Sequence, residues 1–205
     1  MKNIESLIEK AAMLKSEGLV EGQIAEELNI SRETVTWLLT HAEKKGAEGP
    51  KDVSVDWSAI GKSAYRERQV SQVLTDMIYE SLATTDAEID VVVGIALSGI
   101  SLACMVAEEL GADLAVYNPS KQKWTQDSGT ELRGNFSSNF ADVNGKECIV
   151  IDDVITSGST LEETVEMLNK HGAQTNAIGV LLDKRGIEDI SGVPVCPMLR
   201  VIRVN

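Results

Sequence analysis

Residues 148–160 read CIVIDDVITSGST. Four apolar residues, Cys148 to Ile151, have the length and character of a buried strand, and they run straight into two acids, Asp152 and Asp153. Thr156, Ser157, Gly158, Ser159 and Thr160 follow as a turn, and STLEETVEMLNKHG continues with helical periodicity. A turn of this kind at a helix N-terminus offers backbone N–H groups, hydroxyls and a favourable dipole to a phosphate monoester. Gly158 lets the backbone approach closely. With a 5′-phosphate in the turn, the two carboxylates stand at the reach of a ribose ring. They would accept hydrogen bonds from its 2′- and 3′-hydroxyls, directly or through Mg²⁺. The chemistry points to a ribose 5-phosphate with a charged group at C1.

Working outward, the chain from Trp57 alternates helix and apolar strand. AYRERQVSQVLTDMIYESL is a long helix, DVVVGIA a buried strand, ISLACMVAEELG a helix ending at Gly111, and DLAVYN a second strand. ECIVI is a third strand and NAIGVLLDK, after the helix already described, a fourth. This order predicts an α/β domain with an open, mostly parallel sheet flanked by helices. Ligands in such sheets bind beyond the carboxyl ends of strands, which directs attention to the loops after residues 96, 118, 151 and 182.

The first fifty residues have a different pattern. Ile4, Leu7, Ala11 and Leu14 recur at helical spacing up to a stop near Gly18. Ile24, Ala25 and Leu28 face inward from a short second helix. Asn29 and Ile30 make a turn, and Ser31 is an N-cap for a third helix, RETVTWLLTHAEKK. Val35 and Leu38 are spaced to pack back on the second helix. Arg32, Glu33, Thr34, Thr36, Trp37 and Thr40 are then left to the N-terminal and outer face. Residues 46–57, GAEGPKDVSVDW, read as a linker, with room for a short wing strand. The expected domains are therefore 1–45, a linker at 46–57, and 58–205.

Composition bounds the alternatives. The 205 residues carry 43% hydrophobic and 25% charged side chains, ordinary globular values, with a net charge of −13. No apolar run approaches a membrane span, and the N-terminus lacks a signal peptide's apolar stretch, so a cytoplasmic chain is expected. Cys104, Cys148 and Cys196 lack metal-ligand spacing and read as small hydrophobes in a reducing compartment; His41 and His171 are isolated. Residues 1–51 hold seven Lys/Arg against nine Asp/Glu, and the remainder twelve against twenty-three. An acidic body repels phosphates, so any grip on nucleic acid must be local and is expected to use two copies.

The thirteen residues of the opening stretch resemble the phosphoribosyl pyrophosphate signature of type I phosphoribosyltransferases. The resemblance implies that Asp152, Asp153, Thr156, Ser157, Gly158, Ser159 and Thr160 hold the ribose 5-phosphate. GIALSGISLA, residues 94–103, resembles the family's pyrophosphate loop, with Ser98 and Gly99 as donors to the diphosphate. VLLDKRG resembles the segment that closes over the base in the orotate branch, which would put Asp183, Lys184 and Arg185 near a base pocket. The catalytic side departs from that branch. Asn118 and Pro119 stand where an Arg-Lys pair is expected, only Lys121 and Lys123 are nearby, and Trp124 falls where a histidine would. No catalytic residue is assigned, because the groups that would neutralise departing pyrophosphate are missing.

The N-terminal segment resembles the helix-turn-helix of transcription regulators. That resemblance implies DNA contact by Ser31, Arg32, Thr34, Thr36, Trp37 and Thr40 in the major groove, with Lys44 and Lys45 following the backbone. The competing reading of these helices is an oligomerisation or docking module with Trp37 packed inward. The two halves together resemble the archaeal orotate phosphoribosyltransferase-like transcription regulators. A homodimer that binds operator DNA and senses a sugar phosphate is the function this implies. No cofactor is required beyond Mg²⁺ accompanying phosphoribosyl pyrophosphate, and no separate metal site is expected. An active orotate phosphoribosyltransferase with an accessory N-terminal domain is the alternative.

Overall fold

A computed structural model describes residues 4–41, 52–83, 87–120 and 134–202, excluding the His41 side chain. The chain divides into two compact units, Met1–Ser58 and Ala59–Asn205.

The first unit is built on α1 (Ile4–Ser16), α2 (Glu21–Leu28) and α3 (Arg32–His41). Their apolar stripes meet in a core of Ala11, Leu14, Ile24, Ala25, Leu28, Ile30, Val35 and Leu38, with Trp37 packed against it. The turn between α2 and α3 is local chemistry. Asn29 takes the left-handed conformation at φ 53°, which asparagine tolerates, and the Ile30 N–H donates back to the Ala25 carbonyl at 3.0 Å. Ser31 caps α3, its hydroxyl accepting from the Thr34 N–H at 3.2 Å. The described residues of the expected linker, 52–57, form no strand.

In the second unit α4 (Ser58–Gly61), whose first residue closes the first unit, leads into α5 (Ala64–Leu82). Among the described residues its strands are β1 (Val91–Ile95), β2 (Asp113–Asn118), β3 (Asn135–Phe136), β4 (Glu147–Ile155), β5 (Gln174–Asp183), β6 (Asp189–Ile190) and β7 (Val193–Arg200). They lie in the order β3-β2-β1-β4-β5-β7-β6. Pairing is parallel from β2 through β7, and only the two-residue edge strands β3 and β6 are antiparallel. Helix α6 (Gly99–Leu110) follows β1, and α7 (Ser159–Lys170) follows β4.

Alternation along the strands separates two buried faces. Val91, Val93, Ile95, Cys148 and Val150 pack with Leu161, Val165 and Leu168 of α7. On the other face α5 and α6 come close. A methyl on Gly179 would lie 2.7 Å from Ile78 Cδ1 of α5, and one on Gly94 would lie 2.8 Å from Ala103 Cβ of α6. Three strands escaped the sequence reading. β3 and β6 are too short to carry a pattern, and β7 contains Pro194 and Pro197, residues that argue against a strand. Past its pairing with β6, the side of β7 away from β5 has no strand neighbour among the described residues, and there the missing N–H of Pro197 costs no ladder bond.

Candidate ligand site and helix-turn unit

The opening stretch folds with one correction. β4 does not end at Ile151 but continues to Ile155, so Asp152 and Asp153 lie within the strand. The reason is pairing. β1 accompanies β4 only as far as Gly94 opposite Ile151, whereas β5 continues alongside, with Asp152 opposite Val180 and Ile155 opposite Asp183. The acids therefore stand where β4 has lost one neighbour and kept the other, which opens the edge beside them. Asp153 is buried, and Asp152 is half-buried with its Oδ1 accepting from the Asp153 N–H at 2.9 Å.

The loop after β1 closes on this edge. Ser98 is exposed and Gly99 buried, and a Cβ on Gly99 would lie 2.6 Å from the Ile151 carbonyl oxygen and 3.1 Å from Asp152 Cα. Only a residue without a side chain lets α6 begin this close to the acids. The Ala96–Leu97 peptide in this loop is cis. After β4, Thr156 is half-buried, Ser157 and Ser159 are exposed with hydroxyls 2.9 Å apart, and Thr160 is buried. Gly158 takes φ 89° immediately before α7, whose N-terminal amides are those that helix geometry leaves without an intrahelical acceptor. Ser98, Gly99, Asp152, Asp153 and the turn 156–160 are thus brought to one edge, at the carboxyl ends of β1 and β4.

Asp183 has a different place from the one expected of it. It is fully buried, and its carboxylate accepts from the N–H groups of Arg185 (2.7 Å), Gly186 (3.0 Å) and Ile187 (2.8 Å). It shapes the loop after β5, with its carboxylate taken up by that loop's own amides.

Sequence reasoning also missed Glu163. This α7 carboxylate accepts from the Tyr117 hydroxyl at 2.8 Å, the Ser120 N–H at 3.0 Å and hydroxyl at 2.7 Å, and the Gly134 N–H at 2.9 Å. Burial works against its charge, but the bonds from Ser120, Tyr117 and Gly134 prevail and hold it below its ordinary value. Burial first and Glu163 second push the Tyr117 hydroxyl upward. Partners 29 to 46 residues away leave no local sequence signal. Lys121, Lys123 and Trp124 lie outside the described residues.

In the first unit the expected DNA-facing residues divide. Arg32, Thr36 and Thr40 are exposed. The Arg32 guanidinium lies over α2, where a Cβ on Gly22 would come within 2.6 Å of Nη2, and the Thr36 hydroxyl donates to Glu21 at 3.0 Å. Ser31 is half-buried as the helix cap. Thr34 is a correction. It is buried, with its hydroxyl donating to Asp52 at 2.8 Å, so it faces the chain after α3 instead of the outer surface. Trp37 is half-buried against the core, closer to the inward-packed alternative. Lys44 and Lys45 lie outside the described residues.

Comparison with known proteins identifies the family and the fold. The family model described as "Phosphoribosyl transferase domain" matches residues 62–189. Over its full length the chain is 61% identical to "Transcriptional regulator GfcR" of Methanothrix thermoacetophila, covering 100% of both chains. The chain belongs to the GfcR family of transcriptional regulators. A second family member, "Transcriptional regulator GfcR 1" of Methanosarcina barkeri, is 53% identical over 206 residues, again covering 100% of both. Orotate phosphoribosyltransferase from Aeropyrum pernix shares the fold at a TM-score of 0.53 and 19% identity, covering 77% of this chain and 83% of that one. Adenine phosphoribosyltransferase from Leishmania tarentolae does so at 0.54 and 16%, covering 76% and 79%. The GfcR-family chain therefore joins a phosphoribosyltransferase fold to a three-helix unit. Among its described residues no helix is long and apolar enough to cross a membrane.

Proposed function

We propose that this transcriptional regulator binds operator DNA through its first unit and senses phosphoribosyl pyrophosphate or a related sugar phosphate in its second. The observation that carries the sensing half is the approach of Gly99 to Ile151 and Asp152. It joins the loop after β1, the acid pair and the α7 turn into one edge suited to a ribose flanked by phosphates. The α7 N-terminus suits a phosphate monoester. Asp152 and Asp153 suit ribose hydroxyls.

Mg²⁺ would enter with the ligand. The two carboxylates are hard oxygen donors fit for one or two of its positions, with phosphate oxygens filling others. Among the described residues no group of three or more His, Cys, Asp or Glu is gathered to hold a metal alone.

The regulator is proposed to act as a homodimer in the cytoplasm, where the chromosome is. The transferase alternative has less support, because Asn118 and Pro119 end β2 where cations would serve a departing diphosphate.

Calorimetry with phosphoribosyl pyrophosphate and Mg²⁺ tests the sensing site. Wild type should bind, and Asp152→Asn with Asp153→Asn should lose about 1.5–3 kcal/mol per charge-assisted bond removed. Undiminished binding by the double variant would show the site misplaced. Robust turnover of orotate would favour the enzyme.

A further inference from the structure

Residues 52–55 do not behave as a solvated linker. Asp52 Oδ2 accepts from the Ser31 N–H at 2.7 Å and from the Thr34 hydroxyl at 2.8 Å, while its Oδ1 accepts from the Val53 N–H at 2.7 Å. Ser54 donates to the Leu28 carbonyl at 3.0 Å, and the Asn29 side chain donates to the Val55 carbonyl at 3.1 Å. The chain leaving the three-helix unit is thus fastened to both sides of its turn, to the end of α2 and to the start of α3. The carboxylate also sits at the α3 N-terminus, where the helix dipole favours negative charge.

The other end of this stretch is fastened too. Asp56 accepts from the Ser58 N–H at 3.1 Å where α4 begins, and Arg66 of α5 donates to the Ala59 carbonyl at 2.6 Å. From Val55, the last residue tied to the turn, to Ala59, where the second unit begins, is four residues of chain. Such a length spans at most about 14 Å even fully extended. A link so short, tied at each end, transmits displacement, whereas a longer Gly/Ser-rich linker would absorb it.

We propose that Asp52–Val55 is a coupling strap, with Asp52 the positioning residue through which ligand binding in the second unit reaches the first turn of α3. The proposal rests on the sensing reading above. Displacing Asp52 takes the acceptor from the Ser31 N–H and from Thr34 together, and so loosens the turn that orients Arg32 and the exposed face of α3. With the strap seated, α3 is held in one reading orientation. With it drawn away, that orientation is lost.

The test uses the full chain. Asp52→Asn keeps the shape but removes the charge, and Thr34→Val removes the same bond from the helix side. Operator affinity is read by fluorescence anisotropy with and without phosphoribosyl pyrophosphate and Mg²⁺, ligand affinity by calorimetry, and folding by thermal melts. Wild type should show a ligand-dependent change in operator Kd of about 5–150-fold. Both variants should melt cooperatively and bind the ligand as wild type does, while that change shrinks to about twofold or less. A full ligand response in folded Asp52→Asn overturns the strap, and so does a wild type that binds the ligand without any change in operator affinity. A wild type that binds no ligand defeats the sensing reading instead. The strap is then judged on amide exchange at Ser31–Val35 and on operator binding alone. Faster exchange with weakened binding in Asp52→Asn supports it, and unchanged values overturn it.

Discussion

Glu163 shows what one residue can organise. Its carboxylate gathers the end of β2, Ser120 and Gly134, and Gly134 has no substitute there. A Cβ on it would fall 2.0 Å from the Tyr117 hydroxyl oxygen and 2.5 Å from Glu163 Oε1. Gly134→Ala should therefore destabilise the second unit by about 1–3 kcal/mol, as overpacking does, read as a lower urea midpoint. The pH dependence has a definite sign. A carboxyl held below its ordinary 4.5 in the folded state contributes stability that is present above that value and lost as pH falls through the lower folded value. Urea midpoints measured downward from pH 5 should fall less steeply for Glu163→Gln than for wild type. Equal slopes would mean the carboxylate titrates alike folded and unfolded. Gly158, like Gly99, is a position where glycine is required. At φ 89°, with Ile187 Cδ1 3.2 Å from any added Cβ, Gly158→Ala should cost about 1–2 kcal/mol and weaken ligand binding at the α7 turn.

α3 separates residues by face. Arg32 is exposed and Thr34 buried, so their substitutions should diverge, although both stand in the first turn after the Ser31 cap. Arg32→Ala should lower operator affinity by about 1–3 kcal/mol and relax preference at the base pair it reads, with little change in melting temperature. Thr34→Ala loses a bond to a charged acceptor, about 1.5–3 kcal/mol, and should lower stability and weaken operator and scrambled DNA alike. Anisotropy on both DNAs beside thermal melts distinguishes them. An operator-specific loss in Thr34→Ala with unchanged stability would return that residue to the outer face. β4 carries the corresponding lesson for a strand. Its apolar run ends at Ile151, but the β5 ladder carries the strand four residues further, to Ile155. An apolar pattern reports burial, and the acids could join the strand because one edge of it is open.

At the scale of the whole molecule the net charge of −13 sets the terms of DNA binding. A short DNA-facing helix, the role proposed for α3, makes few phosphate contacts on an acidic chain, and a dimer presenting two half-sites about 10 bp apart multiplies them. Sedimentation at micromolar concentration should show a dimer, and the logarithm of operator affinity should fall linearly with the logarithm of salt concentration. A monomer that binds operator as a monomer would contradict this arrangement.

The sequence by itself determined the order of helices α1–α3 and α5–α7 and of strands β1, β2, β4 and β5, the mostly parallel sheet and the division into a helical and an α/β unit. These depend on periodicity and turn chemistry, which act between near neighbours: Asn29 and Ser31 at one turn, Gly158 at another. It also marked the candidate ligand residues, because Asp152 to Thr160 are contiguous and their chemistry is local. Tertiary structure decided what depends on partners far along the chain. Gly99 meets Asp152 only when β1 and β4 pair. Asp183 turns to its own loop because β5 buries it, and Glu163 finds donors on β2 and on residues beside β2 and β3, far from it in sequence. Thr34 turns inward because Asp52, eighteen residues later, comes back to accept its hydrogen bond. A hydrogen bond between distant residues has no period to read, so it becomes visible only when the fold has brought donor and acceptor together.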